Sequence, residues 1–331
     1  MLLGFDIGGT KCAVILGKKD TEQITILDKQ VIPTDKPAYA MIESLFSTAE
    51  AMLQKHLLSI QEIQGIGISC GGPLNSKLGI VQSPPNLPGW DNIPIVEMCD
   101  KRFGKRSFLQ NDANAGAVAE WKYGAGKGFQ NIIFLTFGTG MGAGLILDGR
   151  LYSGVSDLAG EVGHIRLAEM GPAGFGKAGS FEGFCSGGGI AQLAQLKVRQ
   201  KIQLGEKVSF CNSLEDLPAL TAKIVADAAY LGDPVAIDIY KTCACYLGRG
   251  LSILIDVLNP ELIILGSIYG RAKELIASYM YEMIEQEAIP QSRKACQIVS
   301  SGLAENIGDI AALCLAEISA GMMLPDGNKL N

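Results

Sequence analysis

The chain has 331 residues, of which 48% are hydrophobic and 19% charged, and its formal net charge is -6. This length predicts one large domain or two of ordinary size. No block of Lys or Arg offers the basic surface that nucleic-acid binding needs. No apolar run reaches the ~18 residues of a membrane span, and the N-terminus lacks the charged region of a signal peptide. Nine cysteines without regular spacing are typical of reduced thiols. We therefore expect a cytoplasmic protein without nucleic-acid or membrane partners.

The order of predicted elements suggests two similar α/β halves. Apolar or alternating runs predict an antiparallel meander at 2–6, 12–16 and 24–31, followed by a helix at 38–58 and a strand at 65–69. Further strands are predicted at 107–110, 131–136, 142–147 and 262–265. Further helices are predicted at 113–122, 234–258, 271–286 and 305–320. Each half has a strand, a glycine turn and a second strand, which predicts two α/β bodies facing each other over a cleft.

A glycine-rich turn follows the first strand. The backbone of Gly8 and Gly9, with the hydroxyl of Thr10 and the cation of Lys11, can cradle phosphate oxygens. Asp6, at the end of the strand, could reach Mg²⁺ directly or through water. The alternative is an ordinary β-hairpin with an acidic residue at its mouth.

A second turn of the same form contains Gly138, Thr139, Gly140 and Gly142 between two apolar runs. Neither turn has the spacing of a Walker loop, and neither opens a helix as a dinucleotide-binding turn does. Two such turns, one in each half, indicate a nucleoside triphosphate held from both sides of a cleft.

Asp112 is the candidate general base. The chain has only two histidines to compete for this role, His56 and His164. In phosphoryl transfer the base need only orient the attacking hydroxyl and accept its proton late, which a carboxylate does well. The alternative is that Asp112 caps the helix predicted to start at 113.

Three residues of a glycine-rich stretch expected to be irregular, 154–189, suit sugar recognition. Glu161, His164 and Glu182 can each accept hydrogen bonds from hydroxyl groups. The alternatives are a surface charge for Glu182 and a satisfied buried histidine for His164.

Together these residues resemble the ROK family (repressors, open reading frames and kinases) of the actin, heat-shock chaperone and sugar kinase superfamily. The resemblance covers essentially the whole chain. It is carried by the two glycine turns, by Asn-Asp-Ala-Asn at 111–114, by Gly-Glu-Val-Gly-His at 160–164 and by the proline-rich loop at 85–90. It implies an ATP-dependent kinase, glucokinase-like, that phosphorylates a hydroxyl of a hexose.

The fold that this resemblance implies has two ribonuclease H-like α/β domains, at 1–116 and 117–304, flanking a cleft. A helix in 305–331 would return to the first domain. ATP and Mg²⁺ would bind between the domains, and the family makes a homodimer the expectation. Asp112 becomes the catalytic base, and Gly266 with Ser267 resembles the adenosine segment. The implied sugar ligands are Gly72, Asn86, Asn111, Asp112, Glu161, His164 and Glu182.

One loop departs from the family pattern. Many members bind a structural zinc through three cysteines and the histidine of Gly-His, but the cysteine positions here are Ala173, Phe175 and Ser180. His164 alone cannot build a zinc site. We therefore expect no zinc, and a loop held by packing, with Phe175 and Phe181 as anchors.

Alternatives remain within this family. A kinase for an N-acetylated amino sugar or for fructose fits the same motifs. A sugar-sensing regulator is the alternative from another class. The family's repressors carry a helix-turn-helix domain before the first turn, and a turn that begins at Asp6 leaves no room for one. Ser267 stands where a second glycine is usual, which puts the nucleotide preference in question.

We predict that the purified protein contains no stoichiometric zinc. A structural zinc contributes on the order of 10–16 kcal/mol to the folding of small motifs, so a real site would stay occupied during purification. Elemental analysis should find far less than one zinc per chain. A full equivalent of zinc would contradict the prediction and point to other ligands.

Overall fold

The computed structural model describes residues 1–321, so the part of the expected C-terminal segment at 322–331 lies outside the described residues. The strands are β1 Leu2–Ile7, β2 Lys11–Lys19, β3 Ile24–Pro33, β4 Gly65–Cys70, β5 Leu74–Asn75, β6 Ile80–Val81, β7 Ser107–Asn111, β8 Ile132–Leu135, β9 Ala143–Leu147, β10 Arg150–Leu151, β11 Ala173–Gly174, β12 Lys177–Ala178, β13 Leu262–Leu265 and β14 Gln297–Ser300. The α-helices are α1 Ala38–Lys55, α2 Ile95–Phe103, α3 Asp112–Tyr123, α4 Phe181–Cys185, α5 Gly187–Gln203, α6 Ala222–Tyr230, α7 Pro234–Leu258, α8 Ile268–Glu287, α9 Pro290–Ala295 and α10 Ile307–Ser319.

The first sheet has the strand order β3-β2-β1-β4-β7. Strands β1, β2 and β3 form the predicted antiparallel meander, and β4 and β7 extend the sheet in the parallel direction. Parallel neighbouring strands need a long crossover connection, usually a helix. Here α1 lies in the connection that leads to β4, and α2 lies in the connection between β4 and β7. The parallel strands therefore end at one edge, where Cys70 and Asn111 are paired.

The second large sheet has the order β10-β9-β8-β13-β14. Strand β10 is antiparallel to β9, and β13 lies parallel to both β8 and β14. In both sheets the strands, numbered by chain order, run third, second, first, fourth, fifth. The predicted repeat is therefore present in the topology, and the α/β fold class is confirmed.

The described residues divide into two compact units. One comprises 1–128, 144–159 and 305–321, and the other comprises 129–143 and 160–304. Within residues 1–321, no helix combines the length and apolar character that crossing a membrane requires.

Helix α10 lies directly on the first sheet because glycines line its path. A Cβ atom at Gly67 would lie 2.0 Å from the carbonyl oxygen of Ala312, and one at Gly65 would lie 2.1 Å from that of Ala316. Gly4, paired with Gly67 in the sheet, meets the Cβ of Ala312 in the same way, at 2.9 Å. These strand positions admit only glycine while the helix keeps its place.

A buried carboxylate ties the far end of α10 to its neighbours. Glu317 is 3% exposed and accepts hydrogen bonds from the ammonium groups of Lys19 and Lys122 and, at 2.6 Å, from the hydroxyl of Tyr123. Burial disfavours its charge, but the hydrogen bonds from Lys19 and Tyr123 and the charge of Lys122 outweigh this and hold the pKa of Glu317 below its ordinary value. The group therefore links α10 to β2 and α3.

We predict that Glu317→Gln lowers the free energy of unfolding by about 3 kcal/mol at pH 7, because two lysines lose their buried counter-charge. A carboxyl whose pKa is lowered by folding stabilises the protein above its unfolded pKa, roughly 4.3, and loses that effect as the pH falls below it. Urea unfolding at pH 7 and pH 4 should therefore show a difference from the wild type that shrinks in acid.

The matched control is Asp20→Asn, which breaks the exposed pair between Lys18 and Asp20 at 3.6 Å. It should cost less than about 1 kcal/mol at either pH. A loss for Glu317→Gln no larger than that of the control would contradict the assigned role.

Candidate active site

Asp6 lies near the carboxyl end of β1, beside Ser69 of β4. Its carboxylate accepts a hydrogen bond from the Ser69 side chain, and a Cβ at Gly308, in the first turn of α10, would lie 2.9 Å from its Oδ2. Burial, and then the negative charges of Asp112 and Asp309, raise the pKa of Asp6 to about 6. A bound cation would relieve this accumulation of negative charge.

The first glycine turn joins β1 to β2. The N–H of Gly8 donates to the carbonyl oxygen of Lys11 at 3.2 Å, which closes the turn. A Cβ at Gly9 would lie 2.3 Å from the carbonyl oxygen of Asn86, so this position needs glycine for the proline-rich loop to approach. The side chains of Thr10 and Lys11 are exposed at the tip, where they are accessible to a ligand.

Three predicted sugar ligands come together at the edge where β4 and β7 end. The Cβ position of Gly71 lies 3.4 Å from the side chain of Asn86, and that of Gly72 lies 3.1 Å from Nδ2 of Asn111. The loop that carries Asn86 is anchored by Trp90, whose side chain is 1% exposed. The first unit thus places polar amide groups against the Gly71-Gly72 backbone.

Asn111 is the cap of α3, and Asp112 is the first residue of the helix. Oδ1 of Asn111 accepts hydrogen bonds from the N–H groups of Ala113, at 2.9 Å, and Asn114, at 3.3 Å. Asp112 also accepts from Ala113, at 2.8 Å, and its side chain is exposed. The alternative in which Asp112 caps α3 is therefore wrong, because the preceding residue, Asn111, is the N-cap. The helix N-terminus favours a carboxylate at this place.

The second glycine turn is closed by hydrogen bonds of its own. The N–H of Gly138 donates to the carbonyl oxygen of Gly140 at 3.1 Å, and the N–H of Gly142 donates to the hydroxyl of Thr136 at 3.0 Å. Thr139 is exposed at its tip, as Thr10 is at the tip of the first turn.

The starts of two helices meet this second turn. The N–H of Gly187, at the start of α5, donates to the carbonyl oxygen of Gly138 at 2.8 Å. The hydroxyl of Ser267 lies 3.7 Å from the Cβ position of Gly138, and Gly266 donates its N–H to Leu135 at 3.0 Å. The predicted adenosine segment is therefore next to the turn. The contact with α5 was not predicted, since the stretch 154–189, which includes the start of this helix, was expected to be irregular.

Glu161 and Glu182 interact within the second unit. Oε2 of Glu182 accepts a hydrogen bond from the N–H of Met141 at 3.0 Å, so this half-buried carboxylate is fixed to the second turn. Burial, and then the charge of Glu182, raise the pKa of Glu161. The structure thus brings together two carboxylates that the sequence places 21 residues apart.

His164 ends a short 3-10 helix, Val162–His164, and its side chain is exposed. The alternative of a buried histidine is therefore wrong. Its ring lies edge-on to that of Phe175, with centroids 5.9 Å apart. The other histidine, His56, lies at the end of α1, where Nε2 is 2.8 Å from Oδ2 of Asp28.

The loop without cysteines contains the hairpin β11–β12. Phe181 anchors it as predicted, since its side chain is 0% exposed and packs on Gly250 of α7. The same prediction was wrong for Phe175, which is 64% exposed. The amide of Gln192 bonds both backbone groups of Ala173, at 2.9 and 2.8 Å. Over residues 1–321, no group of three or more His, Cys, Asp and Glu side chains could hold a metal ion.

Comparison with known proteins finds similarity over nearly the whole chain. The ROK family model matches residues 2–318. The glucokinase of Streptomyces coelicolor is 30% identical over 319 residues, which cover 96% of this chain and 97% of that protein. A ROK family glucokinase from Streptomyces griseus, solved in complex with glucose and AMPPNP, is 28% identical with a TM-score of 0.77, covering 96% of this chain and 99% of that one.

A repressor is also similar. The xylose repressor of Caldicellulosiruptor bescii is 28% identical over 289 residues, which cover 87% of this chain and 70% of that protein. The glucokinase relatives nonetheless confirm the prediction of an ATP-dependent sugar kinase of the actin-like fold. With the family model, the relatives and the topology in agreement, the chain belongs to the ROK family.

Proposed function

We propose that this sugar kinase transfers the γ-phosphoryl group of ATP to a hydroxyl of glucose or a closely related hexose, with Asp112 as the general base. The main support is the position of Asp112, exposed at the start of α3 directly after Asn111, whose amide meets Gly72. A hydroxyl bound by Asn111 would therefore lie next to a carboxylate that can take its proton. The glucokinase relatives favour glucose as the sugar.

The two glycine turns are proposed to bind the phosphate groups of ATP. Each presents an exposed threonine and a backbone shaped by its own hydrogen bonds, and the first adds the cation of Lys11. Gly266 and Ser267 would lie beside the nucleotide, since Ser267 adjoins Gly138.

The residues around Asp6 fit a magnesium ion. Mg²⁺ in phosphoryl-transfer sites is typically held by one or two carboxylates together with the phosphates. The carboxylate of Asp6 is a hard oxygen donor with a raised pKa. The negative charges of Asp112 and Asp309 act on it more strongly than the positive charge of Lys29 does. When bound, Mg²⁺ would neutralise the charge that develops on the phosphates.

In this mechanism the chain mainly positions its substrates. Asp112 orients the attacking hydroxyl and accepts its proton as the oxygen bonds to the γ-phosphorus and ADP leaves. Gly72, Asn86 and Asn111 are proposed to hold the sugar. Glu161, His164 and Glu182 are proposed as ligands of its other hydroxyls, so that the phosphoryl group is transferred to one hydroxyl rather than to water.

A sugar-sensing regulator is the second candidate, since a xylose repressor is 28% identical. A coupled assay of ADP release with glucose, mannose, fructose, allose, N-acetylglucosamine and N-acetylmannosamine separates the possibilities. Sugar-dependent ADP release with glucose supports the proposal, and a preference for fructose or an acetylated sugar reassigns the substrate. Saturable sugar binding without ADP release would favour the regulator.

We predict that Asp112→Asn lowers kcat by ~10²–10⁴, because the amide cannot accept the proton. The melting temperature should change little, since Asn111 remains as the cap of α3. Sugar binding, measured by calorimetry, should weaken less than turnover does. Near-normal turnover in this variant would remove Asp112 from the mechanism.

We predict that Ser267→Gly stabilises the protein by about 1 kcal/mol. Ser267 has a φ of +44°, a conformation that costs a side-chain-bearing residue about 1–3 kcal/mol, whereas glycine adopts it freely. Thermal unfolding should show a higher melting temperature than the wild type. Ser47→Gly, an exposed change inside α1, is the control and should lower it. Equal losses in both variants would contradict the strain argument.

A further inference from the structure

We propose that Phe175 is a positioning residue of the sugar site: its ring holds the imidazole of His164 in the orientation that a sugar hydroxyl requires, while Lys177 fixes the backbone of the same histidine. The inference rests on the proposed sugar-binding role of His164. It extends that role by proposing that the β11–β12 hairpin, whose turn consists of Phe175 and Gly176, determines how the imidazole is oriented.

The conformation of Phe175 is the first observation. Phe175 has a φ of +46° and Gly176 a φ of +72°, in the two-residue turn between Gly174 and Lys177. A turn with both central residues in this region favours Asn or Asp followed by Gly, and a phenylalanine there is strained. Because its side chain is 64% exposed, burial does not compensate for the strain. Strain of this kind at an exposed position is a reason to look for a function.

The contact with His164 is the second observation. The two rings lie at 69° with centroids 5.9 Å apart, which is the favourable edge-to-face arrangement of aromatic groups. Two residues further on, Nζ of Lys177 donates a hydrogen bond to the carbonyl oxygen of His164 at 2.8 Å. One hairpin therefore holds both the side chain and the backbone of this histidine.

The base of the hairpin is rigidly attached, so its tip has a defined place. The amide of Gln192, on α5, bonds the N–H and the carbonyl oxygen of Ala173. A Cβ at Gly174 would lie 2.8 Å from Cβ of Glu182. The hairpin backbone therefore also packs against Glu182, which is another predicted sugar ligand. The hairpin thus lies in contact with both Glu182 and His164.

The contact can be tested without substrate, because the chain has only two histidines. In a proton–carbon NMR spectrum of the imidazole groups, His56→Gln assigns the two signals. Phe175→Ala should shift the His164 signal, since it loses the ring current of the neighbouring aromatic group. Tyr39→Ala, which removes an aromatic ring 62% exposed on α1, is the matched control and should shift neither. An unmoved His164 signal in Phe175→Ala would overturn the proposal.

The functional arm measures kinetics with glucose and ATP. Phe175→Ala should raise the KM for the sugar about 3- to 10-fold, as expected for the loss of one aromatic contact, with kcat and the KM for ATP little changed. Phe175→Tyr should restore the wild-type KM. In a His164→Gln background, Phe175→Ala should add no further increase, because it acts through the histidine. Independent, multiplying effects of the two changes would overturn the positioning role.

The variant Phe175→Gly distinguishes a positioning role of Phe175 from a role in stability alone, because the two roles predict different effects on the KM for the sugar. Glycine relieves the strain of a positive φ, so the melting temperature should rise while the KM for the sugar also rises. A higher melting temperature with an unchanged KM would overturn the proposal. If the wild type phosphorylated none of the hexoses, the proposed function would fail, whereas the NMR arm would still decide whether Phe175 contacts His164.

Discussion

The contact of α10 with β1 and β4 is the constraint on which the first unit depends. Backbone meets backbone there, since Gly65 and Gly67 leave no side chain between the sheet and the helix. The same helix carries Gly308 against the carboxylate of Asp6 and, about two and a half turns later, Glu317 between two lysines. A displacement of α10 would therefore disturb the proposed magnesium ligand and a buried charge cluster together.

Elements with strong local signals could be predicted from the sequence. Helix α7 has the predicted bounds, because Asp233 caps it, Pro234 occupies its first turn and Asn259 ends it in the left-handed conformation. The stretch 154–189 was expected to be irregular, yet it contains a hairpin, α4 and the start of α5. Its glycines look like those of a loop but serve close packing. A Cβ at Gly183, for example, would lie 2.2 Å from the carbonyl oxygen of Pro172.

The site shows a similar division. The Gly-rich turns, the Asn-Asp pair and the acidic residues were proposed from their chemistry, because such groups can bind phosphates and hydroxyls, and their roles stay predictions. The choice between Asn111 and Asp112 as the cap depends on a one-residue helix boundary, which side-chain propensity alone does not determine. The contact of Gly308 with Asp6 joins residues about 300 positions apart, and no local pattern encodes such a pairing.

The place of α10 in the chain has a consequence for synthesis in the cell. Strands β1 and β4 leave the ribosome early, but the helix that covers their glycine-lined face follows about 240 residues later, a delay of ~10–50 s at usual rates of translation. Until then this apolar sheet surface has no native cover. During that interval the nascent chain exposes the kind of incompletely packed surface that chaperones bind, and the first unit completes its core only after α10 has been synthesised.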